Sequence, residues 1–269
     1  MSRTQPKVMV FDDLASLEDF GVRTWAELGA KALSESGSFA VALSGGQTPG
    51  GLYTSLSEQK ESLPWPATHV FQVDERFVPA GHSESNLRLL RQTLLDHVPI
   101  PDDHIHAIDT SLPGPDEAAW RYENDLIRHF HPGPGGFPRF DLVMLGLGPD
   151  GHVASLFPGN EVLCETRRLV RAVRPGRPVL DRVTLTFPVI NNARRIVFVV
   201  LGPGKASVLK EAVEIRRSSL PAAWIEPLDG EVEVLADRDA ASQLSKGSYS
   251  VFTRGGPQGP SSAPGSVWP

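Results

Sequence analysis

The sequence predicts an α/β fold: a mostly parallel sheet with helices on both faces, in one large domain. Short apolar runs recur along the chain and are too uniformly apolar for a strand with one wet face. Segments with apolar residues at helical spacing stand between them, and that alternation is the signature of a covered parallel sheet. The 25 glycines and 24 prolines gather at the ends of the apolar runs, where they punctuate strands and loops.

Phe39-Ala-Val-Ala-Leu-Ser44 reads as a buried strand that Gly45 and Gly46 end. Thr48 is the expected cap of a helix running to Leu56, with Pro49 at its first position. His69 to Asp74 reads as a second strand. Ser85 to His97 reads as a helix capped by Ser85, whose Leu87, Leu90 and Leu94 form a core-facing stripe. Glu117 to Phe130 is another helix, and Phe140 to Gly146 a third strand. Arg182 to Phe187 and Arg195 to Leu201 are strands around a short helical piece at Pro188 to Ala193. A helix at Lys205 to Ile215, a strand at Val232 to Leu235 and a helix at Asp237 to Leu244 complete the domain, which is expected to span residues 1–253. No internal repeat is present. Residues 254–269 are Gly, Pro and Ser with almost no aliphatic side chain, and are expected to be a disordered tail.

Composition narrows the function. The chain has 269 residues and a net charge of −6, which argues against a nucleic-acid binder with a broad basic surface. The single cysteine, Cys164, excludes an internal disulfide and a cysteine zinc site, and fits a reducing compartment. Met1 to Gly21 lacks the charged start and long apolar stretch of a signal peptide. The longest apolar run, Ile196 to Leu201, is too short to cross a bilayer. A cytoplasmic protein with no membrane, nucleic-acid or obligatory protein partner is expected.

In open parallel sheets, ligands bind beyond the carboxyl ends of the strands. Ser44-Gly45-Gly46 ends a strand where a helix begins, and such a turn lets backbone N–H groups and the helix dipole face an anion. A plain strand-to-helix turn has the same residues, and this one is neither a Walker loop nor a dinucleotide fingerprint. Asp74-Glu75-Arg76 follows another strand; acidic residues there either mark the exit to solvent or face a cleft, where Arg76 can hold a phosphate bidentately. Gly146-Leu-Gly-Pro-Asp-Gly-His152 sets one Asp and one His on a tight loop after a buried strand. Asp150 is placed to orient His152, whose neutral imidazole can serve as a general base. Gly202-Pro-Gly-Lys205 supplies a second cation. His104-Ile-His106 and His129-Phe-His131 have strand-face spacing, but without Cys or a third ligand they read as surface or satisfied histidines, so no metal or cofactor is expected. Ser44 lies in Ala-Leu-Ser-Gly-Gly, which is no hydrolase elbow.

In order, Ser44-Gly-Gly-Gln-Thr-Pro49, Asp74-Glu-Arg76, Ser85-Asn-Leu87, Gly146-Leu-Gly-Pro-Asp-Gly-His-Val-Ala-Ser-Leu-Phe-Pro158, Arg182-Val-Thr-Leu-Thr186 and Gly202-Pro-Gly-Lys205 resemble the motifs of the 6-phosphogluconolactonase family. The resemblance covers about residues 8 to 246. It implies a single-domain Rossmann-like fold, shared with glucosamine-6-phosphate deaminase, and a metal-independent hydrolase acting on a phosphorylated sugar lactone. It implies His152 and Asp150 as the catalytic pair, with Ser44, Gly45, Gly46, Asp74, Arg76, Asn86 and Lys205 around the substrate. In the deaminases the His loop continues into Asn-Glu-Pro; here Leu156-Phe157-Pro158 carries no carboxylate, which favours the lactonase. Gln47 departs in detail from many relatives. A sugar-phosphate sensor of related fold is the remaining alternative, but no segment before Phe39 has the room and basic character for a DNA-binding helix-turn-helix.

Overall fold

The computed structural model describes residues 6–176, 179–215, 218–253 and 256–258. In chain order the elements are β1 (Lys7–Phe11), α1 (Leu14–Ser36), β2 (Phe39–Leu43), α2 (Gln47–Ser57), β3 (Thr68–Gln72), β4 (Asp74–Arg76), α3 (Asn86–Thr93), β5 (Ile105–His106) and α4 (Pro115–Phe130). There follow β6 (Leu142–Leu145), β7 (Val170–Val173), β8 (Arg182–Leu185), α5 (Phe187–Ile190), β9 (Arg195–Val200), α6 (Ala206–Glu214), β10 (Glu231–Asp237), β11 (Ser250–Thr253) and β12 (Gly256–Gln258). Short 3-10 turns lie between several of them.

Nine strands form the main sheet, in the order β12-β11-β1-β10-β9-β6-β2-β3-β5. Its pairs are parallel apart from β11 with β12. Because side chains alternate along a strand, each central strand serves two cores. Ala40 and Ala42 of β2 join Tyr122 and Leu126 of α4 and Leu209 of α6 on one face. Phe39, Val41 and Leu43 join Trp25 of α1, Tyr53 of α2 and Leu90 of α3 on the other. The expected leucine stripe is present: Leu90 and Leu94 are buried, and Leu87 packs at the core's edge.

The N-terminal strand and the 23-residue α1 have no counterpart in the sequence expectations. The buried stripe of α1 includes Ser16, Gly21, Gly29 and Ala32 beside Leu17 and Trp25, so small residues hide its apolar period. Those glycines let neighbours approach. A Cβ at Gly21 would stand 2.6 Å from Leu52 Cδ1 of α2.

Other expectations need correction. The strand expected over His69 to Asp74 divides at Val73. Its N–H still bonds Leu43 in the main sheet, but its carbonyl accepts from Leu185 in a second sheet. That antiparallel sheet has the order β4-β8-β7, so Arg182 to Phe187 is no part of the parallel sheet. Thr48 is not the cap of α2; Gly46, at φ 103°, is, and the helix begins at Gln47. Asp237 to Leu244 is not a helix. Asp237 ends β10, and its carboxylate accepts the N–H groups of Gly202 and Ala240, which turns the chain instead. Of the expected tail, residues 254–255 and 259–269, Trp268 included, lie outside the described residues. Gly256–Gln258 pairs with β11, because backbone hydrogen bonding needs no apolar side chain. Among the described residues, no helix is long and apolar enough to cross a membrane.

Candidate active site

The carboxyl ends of β2, β3 and β6 open on one cleft of about 200 Å³, closed on one side by the small sheet. Of the nine site residues expected from the sequence, eight line it: Ser44, Gly45, Gly46, Asp74, Arg76, Asn86, His152 and Lys205. The ninth, Asp150, stands behind the imidazole. Its Oδ1 lies 2.5 Å from His152 Nδ1 and also accepts the backbone N–H of His152. Burial pushes the Asp150 carboxyl up, but the adjoining His152, through charge and hydrogen bonds, holds it below the usual carboxylate range. A carboxylate on Nδ1 keeps the proton there and leaves the Nε2 lone pair free. The ring also packs 4.7 Å from that of Phe157 and is 26% exposed, so it is held yet reachable.

Local sequence explains the loop. Gly148 meets the imidazole so closely that a Cβ would stand 2.1 Å from His152 Nδ1. Gly151 has φ 82°, a conformation that favours glycine. On the other side of the cleft, Gly45 faces Asn86, where a Cβ would stand 1.9 Å from Oδ1. These two glycines serve close approach. Gly46 caps α2 without a side-chain hydrogen bond, and the N–H groups of the helix's first turn have no intrahelical partner, a disposition that suits an anion.

Asp74 is 4% exposed, and its carboxylate accepts from Ser155 Oγ at 2.5 Å. Asn86 Nδ2 donates to the Asp74 backbone carbonyl at 2.9 Å. Glu75, by contrast, faces inward. Its two oxygens accept the N–H groups of Arg76, Asn86 and Leu87, the Gln72 amide and the Ser85 hydroxyl. It neutralises the start of α3 and ties that helix to β4. Of the two readings left open for the acidic pair, Asp74 therefore faces the cleft, while Glu75, 1% exposed, neither exits to solvent nor lines the cleft but serves the fold.

Arg182 also lines the cleft, though the sequence marks it as a strand start and the first residue of a family motif, not as a site residue. Its register partner in the small sheet is Arg76. Its guanidinium lies 3.9 Å from the Asp74 carboxylate and 5.2 Å from the centre of the Phe157 ring. Burial lowers the Arg182 pKa, while Asp74 supports the charge. Lys205 is lowered by burial too, with Asp150 opposing, so this cation belongs to the His152 side. Its motif marks Arg182 but not its place at the cleft, because the antiparallel pairing that brings it to Arg76 spans more than a hundred residues.

Four buried polar atoms of cleft residues have no hydrogen-bond partner among the described residues: Ser44 Oγ, Arg76 Nε, Asn86 Oδ1 and Arg182 Nε. Buried polar groups are ordinarily paired, so their concentration here marks a place built for a polar ligand. Three cations and a free helix start suit an anion, and the Asp150–His152 pair can accept a proton from water.

Comparison with known proteins agrees. Residues 12–234 match the family model described as glucosamine-6-phosphate isomerases/6-phosphogluconolactonase. The chain is 44% identical over 217 residues to a 6-phosphogluconolactonase of Synechocystis sp., covering 80% of this chain and 88% of the relative. The structure of a 6-phosphogluconolactonase from Trypanosoma cruzi superposes with a TM-score of 0.80 at 30% identity, over 91% of this chain and 98% of that one. That of the Thermotoga maritima 6-phosphogluconolactonase gives 0.73 at 33% identity, over 86% and 99%.

Proposed function

The chain belongs to the glucosamine-6-phosphate isomerase/6-phosphogluconolactonase family, and from that premise we propose how its own residues hydrolyse 6-phospho-D-glucono-1,5-lactone to 6-phospho-D-gluconate, a step of the oxidative pentose phosphate pathway. The observation that carries this reading is the 2.5 Å contact between Asp150 and His152 at the edge of a cationic cleft. His152 Nε2 takes a proton from a water molecule as its oxygen attacks the lactone carbonyl carbon. The tetrahedral intermediate carries a negative charge that nearby cations stabilise. Its collapse re-forms the carbonyl and breaks the bond to the ring oxygen, and the imidazolium returns its proton to that oxygen. A lactone is a reactive ester, so a held substrate and one positioned base suffice without a covalent intermediate.

Ser44, Gly45 and Gly46 at the start of α2, with Arg76, Arg182 and Lys205, surround the phosphate and the developing charge. Lys205, which shares the Asp150 field, serves the reacting end. Asp74 holds Arg182 in place, and Asn86 presents its unpaired Oδ1 to a substrate hydroxyl. The Leu156-Phe157-Pro158 continuation supports hydrolysis over deamination, because no carboxylate follows His152 in the loop. The single cysteine fits a reducing compartment, and we place the enzyme in the cytoplasm.

The deciding assay supplies fresh 6-phosphogluconolactone to the purified protein and follows acid release. Release above the spontaneous rate, lost in His152→Ala, is expected. Binding of 6-phosphogluconate with no turnover would make the protein a sensor instead.

A further inference from the structure

At the opposite end of β3 from Asp74, three histidines from separate elements converge. His69 is the second residue of β3, His106 ends β5, and His129 lies in the last turn of α4. One ring nitrogen of each lies within 4.8 Å of the other two. The i, i+2 pairs noted in the sequence do not work as pairs. One member of each joins His69, which the parallel register of β3 and β5 brings alongside.

The spacing suits a metal. His69 Nδ1 and His106 Nε2 are 3.2 Å apart. Two nitrogens bound tetrahedrally to zinc at ~2.0–2.1 Å stand about 3.3 Å from each other. His106 Nδ1 is 2.8 Å from Asp125 Oδ2, the carboxylate–imidazole arrangement that orients metal-binding histidines. That hydrogen bond, above all, holds the Asp125 carboxyl below its ordinary range. The proton of His106 therefore sits on Nδ1, and its Nε2 lone pair points at His69. His69 now donates to it from Nδ1; binding a metal there asks His69 only to move its proton to Nε2, a neutral tautomer change.

A hydrogen-bonded chain from Asp125 through His106 to His69 accounts for two of the rings. It leaves His129 unexplained, 4.5 Å from His69 between ring centres. It also leaves His104, stacked on His69 at 3.8 Å, with a buried Nδ1 that has no partner among the described residues. Half-buried imidazole nitrogens left beside that chain without a hydrogen-bond partner are unfavourable, and a shared cation would satisfy them.

We propose that His69, His106 and His129 bind a zinc ion, with water as the fourth ligand and Asp125 orienting His106. The site is separate from the lactone cleft. It joins the edge of the main sheet to the end of α4, so its effect falls on stability rather than turnover.

The test uses the full chain, stripped with a chelator and titrated with zinc chloride alone. Expected are one zinc bound per chain by calorimetry and elemental analysis, and a Tm raised by about 5–10 °C when zinc is a hundredfold over its Kd. Cobalt(II) in place of zinc should give the intense visible bands of a four-coordinate nitrogen-rich site. His129→Asn and His106→Asn should each weaken zinc binding at least tenfold and abolish the Tm rise, while kcat for the lactone stays within twofold. His152→Ala should bind zinc as the unaltered chain does. His129→Asn alters only a half-buried helix end, so it tests the site even if His106→Asn folds poorly. Absence of stoichiometric zinc, its retention in His129→Asn, or its loss in His152→Ala would each overturn the proposal.

Discussion

His152 and Asp150 are two residues apart on one loop, so orientation of the base depends on a local hydrogen bond rather than on distant packing. His152→Ala should lower kcat by about 10²–10⁴, the usual worth of a general base, while the affinity for 6-phosphogluconate and the Tm stay near those of the unaltered enzyme. Near-normal turnover would remove His152 from the reaction. The cations make a second residue-scale prediction. Each charged hydrogen bond to phosphate contributes about 1.5–3 kcal/mol, and energy from that remote group also orients the carbonyl. Arg76→Ala and Arg182→Ala should therefore each narrow the preference for the phosphorylated lactone over unphosphorylated gluconolactone by tenfold or more, whereas Lys205→Ala, at the reacting end, should lower kcat/KM for both lactones and leave the preference within threefold. The ratio of kcat/KM values for the two lactones measures this. A ratio unchanged in both arginine variants would show that these two cations serve something other than the phosphate.

Between elements, the site depends on how β4 meets α3. Glu75 accepts five hydrogen bonds at that junction, so its neutral isostere turns an amide N–H₂ toward donors. Glu75→Gln should cost about 3 kcal/mol and lower the Tm by roughly 10 °C, as breaking one side of a buried charged network does. Thermal and urea melts decide it; an unchanged midpoint would mean that the junction does not need the charge. Gly45→Ala acts on the next contact along. The added Cβ overlaps Asn86 Oδ1, so the strand end and α3 must part. KM should rise at least tenfold through displacement of the cleft wall, and a KM within twofold of the unaltered enzyme would place slack where the structure shows contact.

Over the whole molecule, acid stability follows from carboxylates that the fold keeps ionised. Glu165 shows the balance most clearly. Burial alone would raise it, but the N–H groups of Arg168 and Arg167 and the Arg171 guanidinium hold it down to about 2. A carboxyl with a depressed folded pKa contributes stability that is complete above its unfolded value, near 4.5 here, and drains as pH falls toward the folded value. Glu165 should thus contribute stability at neutral pH, about 1 kcal/mol after solvent screening of its exposed partners, that is lost between about pH 5 and 2. Urea midpoints across that window should fall more steeply for the unaltered chain than for Glu165→Gln. Parallel curves would assign the acid loss to other carboxylates.

What was legible in the sequence had a short range. Ser44-Gly45-Gly46, Asp150 with His152, and Lys205 each stand directly after an apolar run, so the position of a strand end already announced their place at the cleft. Ser85 as a cap and the Leu90 face of α3 were equally local. Other elements escaped because their signal lay in a partner. The stripe of α1 consists largely of small residues whose meaning appears only with Leu52 against Gly21. Asp74 and Glu75 look alike as adjacent acids, and only Ser155 on one side and the start of α3 on the other separate their roles. Arg182 reaches the cleft through a strand pairing across the small sheet, and the three histidines meet through β3, β5 and α4. Covalent neighbours and strand ends can be read along the chain, whereas long-range pairing depends on how two sheets and their helices pack, and that packing alone decided which distant side chains share a site.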